Sequence, residues 1–150
     1  MSEWKALEKR LGSAEEKTAP ASNDTLARIK KAYDSPVYFA KHYLKFTPYQ
    51  YQINVLTDKS KRITVRMSRQ AGKTTTIAVR AIWYAATHPR TLSLIVAPSL
   101  RQSMIMMDRI QAFIYGMTPE DRKHLIAKVQ RTVIWFRNGS QMVALPCSPN

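Results

Sequence analysis

The sequence predicts an α/β fold, a mostly parallel sheet with flanking helices and a β-hairpin. Three stretches carry that expectation. Ile63 to Met67 is a short β-favouring run that enters a tight loop and leaves through Gly72-Lys73-Thr74 into a helix. Thr91 to Pro98 is apolar without clean alternation, which suits a strand of a parallel sheet covered on both faces. Arg131 to Arg137 and Ser140 to Leu145 are β-rich runs joined by Asn138-Gly139, the strongest short-range hairpin signal.

Taken in order, Ser2 to Leu11 reads as a short amphipathic helix carrying Trp4, Leu7 and Leu11, followed by a linker from Lys17 to Asn23. A second helix runs from Asn23 or Asp24 to Tyr33. Ser35-Pro36 has the form of an N-cap followed by a first helical residue. Tyr38, Phe39, Tyr43 and Leu44 then fall at helical spacing on a buried face. In Phe46-Thr47-Pro48-Tyr49-Gln50, Thr47 is the expected N-cap, Pro48 the first helical residue and Gln50 the partner that completes a capping box. That helix should end near Asp58. After the loop, Thr75 to Thr87 carries an apolar stripe of Ile77, Ala78, Ala81, Ile82 and Ala85, stopped by His88-Pro89.

Ser99 caps a helix from Leu100 to Tyr115 that packs through Met104, Met107, Ile110 and Ile114. Thr118-Pro119-Glu120-Asp121 opens a short helix carrying Leu125 and Ile126, its acids near the positive end of the dipole. If the hairpin turn is two residues long, Ile134 faces Val143 and Trp135 faces Met142.

Composition narrows the classes. A chain of 150 residues, 45% hydrophobic, fits one soluble domain with a real core. Its net charge of +14 predicts attraction to a polyanion. Residues 1–35 carry seven basic and six acidic side chains, whereas 36–150 carry seventeen and four. The division therefore reads as an N-terminal helical segment and linker over 1–35 and a basic domain over 36–150, with any nucleic-acid surface beyond residue 35. Cys147 is the sole cysteine, so no internal disulfide forms and a reducing compartment is the default. Nothing resembles a signal peptide, and no apolar run is long enough to span a membrane.

The chemistry concentrates in Ser68-Arg69-Gln70-Ala71-Gly72-Lys73-Thr74-Thr75. A strand that turns sharply into a helix directs successive backbone N–H groups inward, where they cradle oxyanions. Lys73 is placed to reach the β- and γ-phosphates of a nucleotide, and the Thr74 hydroxyl to hold Mg²⁺. Met67 stands where the usual loop has its first glycine. Arg69, in mid-loop, is the candidate for contacting charge that develops during phosphoryl transfer. Arg66, at the strand end, is the better candidate for pairing with a carboxylate. The Gln50 amide has two competing uses, as a helix cap or as a partner for the edge of adenine. Ser99, Arg101 and Gln102 suit either plain capping or the backbone phosphates of DNA.

Phe46-Thr47-Pro48-Tyr49-Gln50, the Ser68-to-Thr75 loop, the strand ending Ala97-Pro98-Ser99 and the Arg131-to-Pro146 hairpin together resemble the N-terminal ATPase domain of the large terminase subunit of tailed bacteriophages. That protein is the motor that packages DNA into proheads. The resemblance covers about residues 36 to 150. It implies a P-loop NTPase fold of the RecA/ASCE-like kind, here truncated before the Walker B strand, so that the piece alone would hydrolyse ATP poorly. It further implies ATP and Mg²⁺ as cofactors, Gln50 on adenine, Arg69 as phosphate sensor or finger, Lys73 as the essential lysine and Thr74 as metal ligand. The implied partners are double-stranded DNA, the portal protein, the small terminase subunit and further copies of the chain, in the cytoplasm of an infected bacterium and transiently at the prohead portal. Two other readings stand beside it: a nucleic-acid helicase or translocase fragment, and a basic DNA-binding module without catalysis.

Overall fold

The structure, a computed structural model, describes residues 23–147. The expected helix from Ser2 to Leu11, most of the linker after it and the last three residues lie outside the described residues. The chain divides into two compact units, residues 1–30 and 31–150.

Among the described residues the fold is mixed α/β, with six helices and one four-stranded sheet. The helices are α1 (Asn23–Asp34), α2 (Pro36–His42), α3 (Gln50–Thr57), α4 (Lys73–Thr87), α5 (Leu100–Gly116) and α6 (Pro119–Leu125). The strands are β1 (Leu92–Ala97), β2 (Ile126–Val129), β3 (Val133–Phe136) and β4 (Gln141–Pro146).

Helix starts follow local chemistry. Ser35 Oγ accepts the Tyr38 N–H at 3.2 Å, Ser99 Oγ that of Gln102 at 3.4 Å, and Thr118 Oγ1 that of Asp121 at 3.1 Å. Pro36 and Pro119 occupy the first turns, where a missing N–H costs nothing. α3 departs from expectation. It starts at Gln50 with Tyr49 as its N-cap, and Thr47 and Pro48 precede it. The Tyr49 N–H donates to Gln52 Oε1 at 2.9 Å, so the reciprocal glutamine lies two residues beyond the expected one. The Thr47 and Tyr49 frames offer the same three-residue spacing, and only the second buries its glutamine.

The sheet order is β1-β4-β3-β2. β1 and β4 are parallel, while β4–β3 and β3–β2 are antiparallel, so the sheet is mixed rather than mostly parallel. Ile63 to Met67 is not a strand, because no described strand takes up its N–H and C=O groups. Ile126 ends no helix; it opens β2 and is buried there. The expectation of a β1 covered on both faces also fails. Ser93, Ile95 and Ala97 are partly buried on the side of the helices, whereas Leu92, Leu94 and Val96 are 61, 55 and 55% exposed.

The hairpin register differs by one residue from that of a two-residue turn, and the loop is one residue longer. Ile134 pairs with Met142 and Trp135 with Gln141. Phe136 N–H donates to Ser140 O, and Gly139 N–H to Phe136 O. The loop is therefore Arg137-Asn138-Gly139, with Gly139 left-handed at φ 85°, a form in which a turn is followed by a left-handed residue. Asn138 has another task. Its Nδ2 donates to Ala85 O (2.8 Å) and Ala86 O (3.0 Å) in the last turn of α4, and its Oδ1 accepts from Ser140 N–H (3.0 Å). Those α4 carbonyls have no helical donor of their own.

The core of the 31–150 unit is built on α4, whose Ala78, Val79, Ile82 and Ala85 are fully buried. Phe39 and Ala40 of α2, Met107, Ile110 and Ile114 of α5, and Ile134, Met142 and Ala144 of the sheet complete it. α4 thus packs against α2, α3 and α5 and also touches β1. Beyond its C-terminus, fully buried Ser140 donates to His88 O (2.6 Å) and accepts from Thr91 N–H (3.1 Å). The hairpin and the end of α4 are thereby tied at two adjacent points.

Asn138→Ala removes the donors to two helix-end carbonyls and the acceptor for Ser140. It should lower unfolding free energy by about 1–3 kcal/mol, read as a shift of the urea midpoint at unchanged slope. An unshifted midpoint would mean that solvent satisfies those carbonyls equally well.

Candidate phosphate-binding site

α3 ends at Thr57, the chain runs without regular secondary structure through residues 63–68, and a bend over Arg69 to Gly72 delivers it into α4. Two left-handed residues make the bend: Gln70 at φ 64° and Gly72 at φ 75°. Gly72 is the N-cap. The first helical bond of α4 is Thr76 N–H to Gly72 O at 2.9 Å, and the Thr76 hydroxyl reaches the same carbonyl at 3.0 Å. The N–H groups of Lys73, Thr74 and Thr75 precede that bond and have no helical acceptor. They sit at the positive end of a 15-residue helix, where an anion is favoured.

Gly72 is required for space as well as conformation. A Cβ there would lie 2.5 Å from Gln52 Nε2. Gln52 is 3% exposed and cannot easily retreat, since its Oε1 holds Tyr49 N–H and its Nε2 approaches Ala71 O at 3.4 Å. Tyr51 Oη donates to the same Ala71 carbonyl at 3.2 Å. α3 therefore supports the loop from beneath through two side chains.

Lys73 folds back across the bend, its Nζ donating to Met67 O at 3.3 Å. The ammonium thus spans from the first helical residue to the stretch before the bend. Around it, Ser68, Arg69 and Gln70 are exposed, and neither their side chains nor the Thr74 hydroxyl has a protein partner. Ala71, Gly72, Thr74 and Thr75 are partly buried. Residues Ser68 to Thr75 are thus brought together as one bend. Arg69 lies within it with its guanidinium unengaged, and Arg66 is exposed and makes no ion pair.

Gln50 is separate from this arrangement: it is exposed at the first position of α3 and makes no side-chain hydrogen bond to the loop. The glutamine that touches the loop is Gln52. The repeat Tyr49-Gln50-Tyr51-Gln52 puts two glutamines within reach of one role, and only their burial separates them. Tyr49 and Tyr51, 69 and 44% exposed, stack with centroids 5.8 Å apart and planes 8° apart beside the loop. Ser99 caps α5 as described, while Arg101 and Gln102 are exposed.

The chain around the bend is rich in cations. No Asp or Glu occurs between Asp58 and Asp108. Arg62, Arg66, Arg69 and Lys73 are all exposed in the bend or just before it. Such a field attracts phosphates and repels other cations. Among the described residues no three or more His, Cys, Asp or Glu side chains gather as a metal-holding group. No helix among them is long and apolar enough to cross a membrane.

Gly72→Ala should strain the loop twice, through its left-handed φ and its contact with Gln52. About 1–2 kcal/mol of stability should be lost in thermal unfolding, together with any anion affinity of the bend. Gln52→Ala should also destabilise, whereas Gln50→Ala should leave the melting temperature unchanged. Equal effects of the two glutamine variants would count against the support assigned to Gln52. No protein-family model matches this sequence, and no curated protein matches it either.

Proposed function

We propose that this chain binds ATP with Mg²⁺ on the Ser68–Thr75 bend, as the nucleotide-binding part of a P-loop ATPase that packages double-stranded DNA, of the terminase large-subunit kind. The observation that carries the reading is the Lys73 ammonium folded onto Met67 O at the head of α4. A lysine held there faces whatever anion the first-turn N–H groups accept. Those donors and a flexible cation next to them are what a triphosphate tail requires.

The residues present fit the nucleotide. The N–H groups of Lys73 to Thr75 would donate to phosphate oxygens, and Lys73 would exchange its carbonyl partner for a stronger charge-assisted bond. The Thr74 hydroxyl, lacking a protein partner, would be available to Mg²⁺, which when bound polarises phosphoryl oxygens and offsets their charge. Arg69 would contact charge that grows as the γ-phosphoryl departs. The Tyr49–Tyr51 pair, together with Gln50, borders the place where a base would leave the bend. A water-activating carboxylate is needed as well. The sequence around the bend supplies none between Asp58 and Asp108, so this portion should bind nucleotide better than it turns it over.

A second reading, a basic module that binds nucleic acid without catalysis, draws on the net charge of +14. Calorimetry separates the two. ATP·Mg²⁺ should bind, and Lys73→Ala should weaken it about ten-fold or more, the worth of one charge-assisted bond of ~1.5–3 kcal/mol. Affinity untouched by Lys73→Ala would remove the nucleotide reading and leave the second. Arg69→Ala, placed in a protein that turns over ATP, should lower turnover more than affinity; equal turnover would deny it the transition-state role.

A further inference from the structure

A cleft of about 730 Å³ opens at the far end of α4 from the phosphate bend, within the ~300–1,000 Å³ span of small-ligand sites. Tyr84 lies eleven residues beyond Lys73, which at the helical rise is roughly 16 Å along the axis. The two places therefore share a helix and no residue.

The lining of the cleft divides into two kinds. One wall is cationic: Lys59 and Lys61 are exposed on the turn after α3, and Arg80 stands behind them on α4. The Arg80 guanidinium donates to Val55 O and to Asp58 O (2.6 Å) at the end of α3, and so fixes where that turn begins. The lining also has an aromatic part. Tyr84, 44% exposed, stacks on His88 with centroids 4.1 Å apart and planes 16° apart, and Trp83 meets His88 edge-on at 5.6 Å. Stacking on His88 occupies one face of the Tyr84 ring and leaves the other.

Two carboxylates, Asp34 and Asp58, also line the cleft. Asp58 accepts the Ser60 N–H at 2.7 Å. That bond, then the Ser60 hydroxyl, and behind them Arg80, hold its carboxyl below the usual carboxylate range, so it is ionised at neutral pH. Fixed acceptors among cations disfavour a bare phosphate. They suit a ligand whose anionic part and hydrogen-donating part are separate, such as a nucleotide unit with a phosphodiester at one end and a base at the other. Duplex DNA keeps its bases stacked inside and would offer this cleft only its backbone.

We infer that this cleft is a binding site for single-stranded nucleic acid, with a base stacked on Tyr84 and the adjoining phosphates on Lys59 and Lys61. The base edge then meets Asp34 or Asp58 through its amino or imino donors. Stacking on an exposed ring needs no particular sequence, so binding is tolerant of sequence and sensitive to salt.

The test is fluorescence anisotropy of a labelled oligothymidylate of about twelve nucleotides on the intact chain, over a salt series. Tyr84→Ala should weaken binding roughly ten-fold, the lower part of the range for one lost stack, and Tyr84→Phe should restore it. Lys59→Gln with Lys61→Gln should flatten the salt dependence by about 1.4, two phosphate contacts on a single strand. None of these should change ATP·Mg²⁺ affinity, and Lys73→Ala should leave oligonucleotide binding intact, so the cleft and the bend stand or fall separately. A duplex bound as tightly as the single strand, or equal binding by Tyr84→Ala and Tyr84→Phe, would overturn the assignment. So would a salt slope unchanged by the lysine pair.

Discussion

The close approach of the Gln52 amide to Gly72 is the constraint from which the rest of the site follows. The chain has to pass from an irregular segment to a helix within four residues and leave the first helical N–H groups pointing outward. A backbone carbonyl in such a bend must still find a donor. Ala71 O finds two, from Gln52 and Tyr51, both on α3. The amide reaches that carbonyl only because position 72 lacks a side chain. Helix α3, the loop and α4 are therefore a single mechanical unit, and the donors of the bend are held open by contacts made from beneath it.

That unit is rigid because α4 is anchored along its whole length. Its start is tied by the two Thr76 bonds to Gly72, its middle by Arg80 on the final carbonyls of α3, and its end by Asn138 and Ser140 of the hairpin. Between these ties lies the most deeply buried apolar stripe of the fold. The thermodynamic cost of exposing unsatisfied N–H groups at the front of the helix is small beside the burial along its flank, so the front can remain free for an anion. Charge acts in the same direction: cations outnumber acids in the chain around the bend, so a phosphate gains attraction before it makes any contact.

Where the chemistry is local, residues announced their own structure. Ser35, Ser99 and Thr118 each cap a helix because a hydroxyl three residues ahead of an N–H needs nothing else to bond it. Arrangements that depend on a distant partner were not legible. Asn138 looked like half of a two-residue turn, yet its amide is committed to α4 some fifty residues earlier, and the register moved by one. Tyr49-Gln50 and Tyr51-Gln52 are indistinguishable on paper. Only the packing of α3 against the loop shows that Gln52 turns inward and Gln50 outward. Ile126 fell at the end of a good helix start, but β3 was waiting to pair with it. Ile63 to Met67 has the composition of a strand and no neighbour to make it one. In the bend, the turn into a helix is a local event and Gly72 caps it, although α4 begins at Lys73, two residues before the expected Thr75.

The sheet supplies the last step. Helices cover one side of β1, and on the other Leu92, Leu94 and Val96 face outward in a row continued by Leu145 of β4. A parallel pair is ordinarily covered on both faces, so this side contributes less to the core than its composition allows. The phosphate bend does not share that weakness. Its supports come from α3 and from the start and flank of α4. What holds the N–H groups of Lys73 to Thr75 in place is therefore helical packing and the Gln52 and Tyr51 bonds to Ala71 O.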